Sequence, residues 1–273
     1  MAKGYSVRNL KYMRRFAEVY PDPEKVQRTV ALLPWRNNVT LMSKIDEESA
    51  RDWYIMKNLE NGWNNVVLTH QIEMDLYGRQ AIAEKVSNFE RTLPSPMSKL
   101  AIEAMKDPYL FDFVEAGEKN MEREIENELV SNITKFLLEM GGGFAFVGNQ
   151  YHIEVGGQDF YLDLLFYHLK LRCYVVIELK NTAFKPDYAG QINFYLSAVD
   201  DLLCREGDGP SIGLLLCKEK NNIIAEYALR NIHRPIGVSE YRLVEKLPSE
   251  LESVLPSVED IEKRIRAKYE ISE

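Results

Sequence analysis

FYLDLLFYHLKLRCYVVIELK, residues 160–180, is the stretch that decides the fold of this chain. Its two halves are apolar runs rich in the aromatic and β-branched residues that favour strands, and together they predict a β-hairpin. One acidic residue, Asp163, interrupts the first run, while Glu178 and Lys180 end the second. An ionised carboxylate inside an apolar strand is costly to bury without a partner, so Asp163 indicates a site and not an ordinary core position.

The spacing of the two runs sets which residues face each other in this hairpin. If the turn is centred on residues 170–171, Asp163 on the first strand lies opposite Glu178 on the second. Side chains alternate along a strand, so Glu178 and Lys180 point to the same face of the sheet. The pattern therefore predicts an acidic pair with a lysine beside it.

Two carboxylates that close together repel each other unless a proton or a cation lies between them. We expect Mg²⁺ between Asp163 and Glu178, with Mn²⁺ as a substitute and the main-chain carbonyl of Leu179 as a further ligand. Carboxylate and carbonyl oxygens suit these ions better than zinc. Spacing alone leaves an alternative open, in which Asp163 and Lys180 form a buried ion pair and Glu178 is exposed at the strand end.

The order of the predicted elements places the hairpin in a larger α/β domain. From residue 118 the pattern is helix, three strands, helix, strand, helix and strand, which predicts a mixed β-sheet flanked by helices. Amphipathic helical stretches before it predict an all-α N-terminal domain. The predicted divisions are a helical domain at 1–90, a connector at 91–117, the α/β domain at 118–248 and a charged helical tail at 249–273.

Composition narrows the class of protein. The three cysteines lie far apart in the sequence, so neither a disulfide framework nor a structural zinc site is expected. No apolar run approaches the ~20 residues that a membrane helix requires, and we expect a cytoplasmic protein with no membrane association. The net charge of −8 argues against nucleic-acid binding over the whole surface.

The first 36 residues depart from this acidic average, with eight basic side chains against three acidic ones. Ser6 is the predicted N-cap of a helix through Val19, and the basic side chains lie largely off its apolar stripe. Such a helix can bind phosphates or can lie solvated on the surface, and the sequence favours neither. The candidate nucleic-acid-binding residues on it are Arg8, Lys11, Arg14 and Arg15.

Asp163 followed by Glu178-Leu179-Lys180 also matches the D…(D/E)xK signature of the restriction-endonuclease-like fold. The segments GFAFVGNQYHIEVGGQDFYLDLLFYHLKLRCYVVIELK, FKPDYAGQINFYLSAVDDLL and IGVSEYRL resemble the YhcG-type PD-(D/E)XK nuclease family, and the resemblance covers residues 118–245. NLKYMRRFAEVYPD and SNFERTLP are similar to the helical N-terminal domain of that family, of which we expect only a part to be present.

The resemblance implies further site residues. Proteins of this fold often carry a glutamate on the helix before the sheet, and three compete here: Glu124, Glu126 and Glu128. Glu126 is our choice because it lies beside the apolar stripe, although a solvated helix charge stays open. Gln191 and Tyr195 match the QxxxY motif of exonuclease-like relatives and share a helix face. Gln150 is a weaker candidate for a contact at the edge of the site.

The residues and the resemblance together imply a magnesium-dependent DNA endonuclease. Asp163, Glu178 and the carbonyl of Leu179 would hold the metal, and Lys180 would orient the attacking water or stabilise charge on the phosphate. One active site per chain implies a homodimer, or two passes, to cut double-stranded DNA. Two alternatives stay open: a nucleic-acid-binding or assembly module that cuts nothing, and a Holliday-junction-type nuclease for branched DNA.

Overall fold

A computed structural model describes residues 5–114 and 122–243 of the chain. The chain forms two compact units, the first of which ends at Gly78. The predicted tail at 249–273 lies outside the described residues, as do residues 115–121, which join the predicted connector to the predicted α/β domain.

The first unit is helical, as the sequence predicted. Ser6 caps its first helix by accepting a hydrogen bond from the main-chain N–H of Asn9, and this helix ends at Val19 as expected. Buried apolar side chains, Leu41 and Leu68 among them, form its core. Its helices are α1 Val7–Val19, α2 Pro23–Arg28, α3 Trp35–Lys44, α4 Glu48–Asn61 and α5 Asn65–Glu73, with a 3₁₀ turn at Val30–Leu32.

The described part of the second unit contains a seven-stranded mixed sheet, which confirms the predicted α/β class. Its strands are β1 Val86–Ser87, β2 Tyr109–Phe111, β3 Phe144–Val155, β4 Gln158–His168, β5 Cys173–Ala183, β6 Ile212–Glu219 and β7 Ile236–Leu243. The order across the sheet is β1-β7-β6-β5-β4-β3, and β2 pairs with β7 outside this path. Strands β3, β4 and β5 form an antiparallel meander, whereas β5, β6 and β7 run parallel.

Two helical layers enclose this sheet. The helices are α6 Phe89–Thr92, α7 Met97–Ala104, α8 Glu122–Ser131, α9 Ile133–Met140, α10 Pro186–Leu202 and α11 Asn222–Leu229. Helices α7, α8 and α9 pack with one apolar cluster of the sheet, around Phe166 and Ile177, and α10 and α11 pack with the other, around Val176 and Leu215. Among the described helices, none combines the length and the apolar composition needed to cross a membrane.

The segment predicted as a connector, 91–117, lies in the second unit as far as it is described. Strand β2 within it pairs in parallel with β7, and Tyr109 and Phe111 are buried there. Lys106 is also buried, and its ammonium lies 3.3 Å from the carboxylate of Glu139 on α9. The prolines that favoured a connector therefore separate short elements that pack on the sheet.

The hairpin of β4 and β5 has the predicted register. Leu164 pairs with Ile177, which is the alignment expected from a turn centred on residues 170–171. Continued by one pair, this alignment brings Asp163 opposite Glu178. The spacing of the two apolar runs is therefore a correct guide to strand pairing.

The helical region before the sheet is divided into two helices, α8 and α9. Asn132 separates them, and its side-chain amide donates a hydrogen bond to the carbonyl oxygen of Glu128 at 3.0 Å. Such a local bond competes with the regular helix pattern. Gly141, with a φ of 101°, ends α9 where the three-glycine run begins, as expected.

Candidate active site

Strands β4 and β5 separate from each other at the predicted acidic pair. Their ladder ends at the pair Leu164 and Ile177. Beyond it, Oδ2 of Asp163 accepts a hydrogen bond from the main-chain N–H of Leu179 at 2.9 Å. Oε1 of Glu178 accepts one from the main-chain N–H of Asp163 at 3.4 Å. Acidic side chains thus take the place of main-chain partners where the strands part.

Burial makes this acidic pair unfavourable in its fully ionised form. Glu178 is only 1% exposed, which excludes the alternative in which it is a solvated residue at the strand end. Burial, followed by the charge of Asp163, raises the pKa of Glu178 to about 8. Burial also raises the pKa of Asp163, and the hydrogen bond from Leu179 opposes this shift. A divalent cation between the two groups would stabilise both carboxylates.

Lys180 lies beside Glu178, as strand alternation predicted. Its ammonium is 3.4 Å from Oε2 of Glu178 and 3.8 Å from Oε2 of Glu122. It also lies 5.5 Å from the centre of the Tyr188 ring, within the range of a cation–π contact. Burial lowers the pKa of Lys180, but the carboxylates of Glu178, Asp163 and Glu122 raise it by more. Lys180 is therefore a cation at neutral pH.

Helix α10 brings Gln191 of the QxxxY motif to the acidic pair, and Tyr195 of the motif lies next to Gln191. The side-chain nitrogen of Gln191 lies 3.5 Å from Oε2 of Glu178 and donates to the hydroxyl of Tyr195 at 3.1 Å. Burial raises the pKa of Tyr195. Ile192 and Leu196 on the same helix are fully buried in the apolar cluster beneath it. Their packing fixes the helix, and with it the position of the motif.

Glu126 on α8 is buried and lies next to the acidic pair. Its Oε2 accepts a hydrogen bond from Nε2 of Gln150 at 2.7 Å, and its Oε1 accepts one from the amide of Asn149 at 3.3 Å. The same Nε2 of Gln150 donates to Oδ1 of Asp163 at 3.3 Å. Burial raises the pKa of Glu126. Gln150, considered only a contact at the edge, thus lies between two carboxylates.

Two residues that the sequence reasoning passed over also lie at the site. Glu122, at the start of α8, accepts a hydrogen bond from the main-chain N–H of Asn181 at 3.1 Å and faces Lys180. It precedes Glu126 by four residues, and this one-turn spacing was a usable signal. Tyr188, whose ring contacts Lys180, had no comparable signal because its role depends on the docking of α10.

The donors of the site fit a hard divalent cation. Asp163 and Glu178 offer carboxylate oxygens, and the raised pKa of each shows that the nearby ammonium does not compensate fully for burial. Among the described residues, no three His, Cys, Asp or Glu side chains gather into a metal centre. Mg²⁺ is commonly held by one or two carboxylates and keeps several waters, so these two carboxylates with the carbonyl of Leu179 suit it.

The basic helix α1 of the first unit presents its cations to solvent. Arg14 forms an ion pair with Glu18 at 2.8 Å, one turn along the helix. The four candidate residues for nucleic-acid contact are all exposed: Arg8, Lys11, Arg14 and Arg15. This exposure is compatible both with phosphate binding and with a solvated helix.

Comparison with known proteins connects most of the chain to one family. Residues 102–256 match the family described as the YhcG PDDEXK nuclease domain, and residues 1–79 match the DUF1016 N-terminal domain. The curated protein "Putative nuclease YhcG" of Escherichia coli (strain K12) is 31% identical over 278 residues, which cover 91% of this chain and 73% of the relative.

Solved structures show a more distant likeness. A repair endonuclease from Pyrococcus abyssi aligns with 49% of this chain and 50% of its own, at 17% identity and a TM-score of 0.31. A complex of EndoMS with dsDNA aligns over the same shares, at 15% identity and a TM-score of 0.32. The chain thus spans about half the length of these structures.

Proposed function

We propose that this chain, which belongs to the YhcG PDDEXK nuclease family and has a restriction-endonuclease-like fold, cleaves DNA as a metal-dependent endonuclease. The observation that carries the proposal is the buried pair Asp163 and Glu178 with the protonated Lys180 beside it. Asp163 and Glu178 lie at the point where β4 and β5 part, and burial disfavours the ionised form of both carboxylates, which a bound cation would stabilise. The geometry therefore supports hydrolysis over binding alone.

The site residues divide into metal ligands and a charge stabiliser. Asp163, Glu178 and the carbonyl of Leu179 would hold Mg²⁺, or Mn²⁺ in its place. The ion supplies polarisation of the phosphodiester and a lowered pKa of bound water. Lys180 stabilises the negative charge that develops on the phosphate, since its raised pKa keeps it a cation and unsuited to act as a base. Gln191 orients Glu178 from the helix side.

Double-stranded DNA is the proposed substrate, and two chains are needed to cut both strands in one encounter. The exposed basic residues of α1 offer a phosphate contact outside the acidic site. A symmetric homodimer would supply the second active site. We place the protein in the cytoplasm, where DNA and free Mg²⁺ are both accessible.

A substrate panel tests the proposed function. The purified chain is expected to cleave linear duplex DNA with Mg²⁺ or Mn²⁺, to stop when a chelator is added, and to show this activity in the same fractions as the protein. Single-stranded DNA, branched DNA and RNA form the other arms. Preference for the branched arm would identify a junction nuclease instead. Absence of cleavage in every arm, or cleavage that a chelator leaves unchanged, would contradict the proposal.

Replacement of Lys180 by methionine is expected to lower the cleavage rate by roughly 10²–10³-fold, as for other lost donors to a developing oxyanion. The Lys180→Met variant should bind Mn²⁺ at least as tightly as the wild type does, because the substitution removes the ammonium that competes with the metal ion for Glu178. Single-turnover rates and calorimetry measure the two effects. Lys185→Met, at an exposed lysine just beyond the same strand, is the control and should change neither. A Lys180→Met variant that cuts within threefold of wild type would remove Lys180 from the mechanism.

A further inference from the structure

Gln150 joins two carboxylates that do not touch each other. One side-chain nitrogen, Nε2, donates to Oε2 of Glu126 at 2.7 Å and to Oδ1 of Asp163 at 3.3 Å. A glutamine NH₂ group has two hydrogens, so each carboxylate can receive one. The opposite oxygens are occupied as well, since Asn149 donates to Glu126 and the N–H of Leu179 donates to Asp163. The set Glu126, Gln150 and Asp163 is here called the relay.

The backbone of β3 is shaped to place Gln150 there. Its φ is +42°, a conformation that few residues other than glycine adopt, and such strain persists only where the surroundings hold it. The neighbouring pairs, Asn149 with Leu164 and Tyr151 with Leu162, set Gln150 opposite Asp163. At this pair, the alternation of side chains between the two faces of the sheet is also interrupted.

The change of face is visible in the packing of β4. Leu164 packs with the apolar cluster of α7, α8 and α9, whereas Leu162 packs with the cluster of α10 and α11. In a regular strand, residues two apart point to the same side. The irregularity at Gln150 and Asp163 therefore interrupts both strands at the metal-binding carboxylate, and it points the amide of Gln150 at that carboxylate.

We propose that Gln150 is a positioning residue that orients Asp163 for the metal, and that Glu126 anchors Gln150 and is not itself a metal ligand. This inference rests on the proposed function of Asp163. Gln150 stands between Glu126 and Asp163, and Glu126 does not join Asp163 and Glu178 in a metal centre of three acidic, histidine or cysteine side chains among the described residues. Residues that hold a ligand in place commonly change metal affinity by about 10–100-fold when replaced.

Metal affinity in a double-mutant series tests the relay. Gln150→Met keeps the length of the side chain and removes the donor, and it is expected to weaken Mn²⁺ binding by about 10–100-fold without changing the stoichiometry. Glu126→Gln should weaken it by no more than Gln150→Met does. The double variant should match Gln150→Met, because Glu126 acts only through Gln150. Gln158→Met, at the exposed first residue of β4, is the control and should bind like wild type.

A ligand role for Glu126 would give a different pattern. Glu126→Gln would then weaken binding more than Gln150→Met, and the double variant would show the product of both effects, which overturns the relay. Calorimetry resolves these patterns because each predicts a different order of Kd values for the same three proteins.

Melting of the metal-free proteins separates failure of the relay from failure of the proposed function. Gln150→Met and Asp163→Asn each remove the same hydrogen bond. If the relay is right, the double variant should therefore lose less melting temperature than the sum of the losses of the two single variants. If the wild type bound no Mn²⁺ and the melting-temperature losses were still non-additive, the proposed metal site would be contradicted. The hydrogen bonding of the relay would be supported. Additive shifts would overturn the relay whatever the metal does.

Discussion

An Asp163→Asn variant is expected to cleave DNA at least ~10³-fold more slowly than wild type. Asparagine keeps the size of the side chain and can still accept the hydrogen bond from the N–H of Leu179, so the separation of β4 and β5 is retained. What is lost is the hydrogen bond from Gln150 and, above all, the negative charge that holds the cation next to Glu178. Metal ions contribute several kcal/mol of transition-state stabilisation, and each 1.4 kcal/mol is about a factor of ten in rate.

The affinity for Mn²⁺ and the rate of DNA cleavage should both fall in the Asp163→Asn variant. Calorimetry with Mn²⁺ should give weaker binding, and single-turnover cleavage at saturating Mn²⁺ should remain slow, because the remaining ion lacks its second carboxylate. Asp159→Asn is the matched control, since Asp159 lies on the same strand with its exposed carboxylate 2.6 Å from His152. If Asp163→Asn cut within tenfold of wild type, Asp163 would not be a metal ligand.

The hairpin was predictable because its information is local. Two apolar runs with a short turn determine strand alternation and register, and these place Asp163, Glu178 and Lys180 together. The motif residues Gln191 and Tyr195 were found through family resemblance, and the structure brings Gln191 to Glu178 and Tyr195 to Gln191. Their catalytic roles remain predictions.

The segment before the sheet was harder to predict because its contacts are distant in sequence. Strand β2 pairs with β7, more than a hundred residues later, and Tyr109 and Phe111 are buried in the apolar cluster that this pairing and α9 form. Short elements between prolines carry almost no periodicity of their own. The local sequence pattern therefore predicted a connector where the fold has strand β2.

The neighbours of the acidic pair were predicted only in part for a related reason. Glu122 could have been found from its one-turn spacing to Glu126, but the choice among glutamates relied on the apolar stripe alone. The position of Gln150 depends on a positive φ in an edge strand, which no residue pattern near it indicates. Irregular backbone of this kind is concentrated at functional sites, and it is where local rules are expected to fail.

Replacement of Glu178 by glutamine is expected to stabilise the metal-free protein at alkaline pH. Burial and Asp163 raise the pKa of Glu178 to about 8, whereas its ordinary value is 4.5. Between these values the unfolded chain has released its proton and the folded chain has kept it. Stability is therefore fully present below pH 4.5 and is lost as pH rises towards 8, by up to about 1.4 kcal/mol for each pH unit.

Glutamine cannot titrate, so the variant should escape this loss. In the presence of a chelator we expect Glu178→Gln to exceed wild type in free energy of unfolding by about 2–4 kcal/mol at pH 8 and by less than about 1 kcal/mol at pH 5. Denaturant unfolding at the two pH values measures the difference. Glu154→Gln, at an exposed carboxylate of β3, is the control and should follow wild type at both.

Addition of Mn²⁺ should reverse this order at pH 8. The cation stabilises the ionised pair in wild type, and binding to the folded state alone raises its stability in proportion to the logarithm of metal concentration over Kd. Glu178→Gln lacks one of the two carboxylates and should gain little. A gap between the proteins that is independent of pH would show that Glu178 titrates normally, and an equal gain from Mn²⁺ would show that the ion binds elsewhere. A carboxylate that destabilises the empty site and stabilises the loaded one is the signature expected of a metal ligand buried for function.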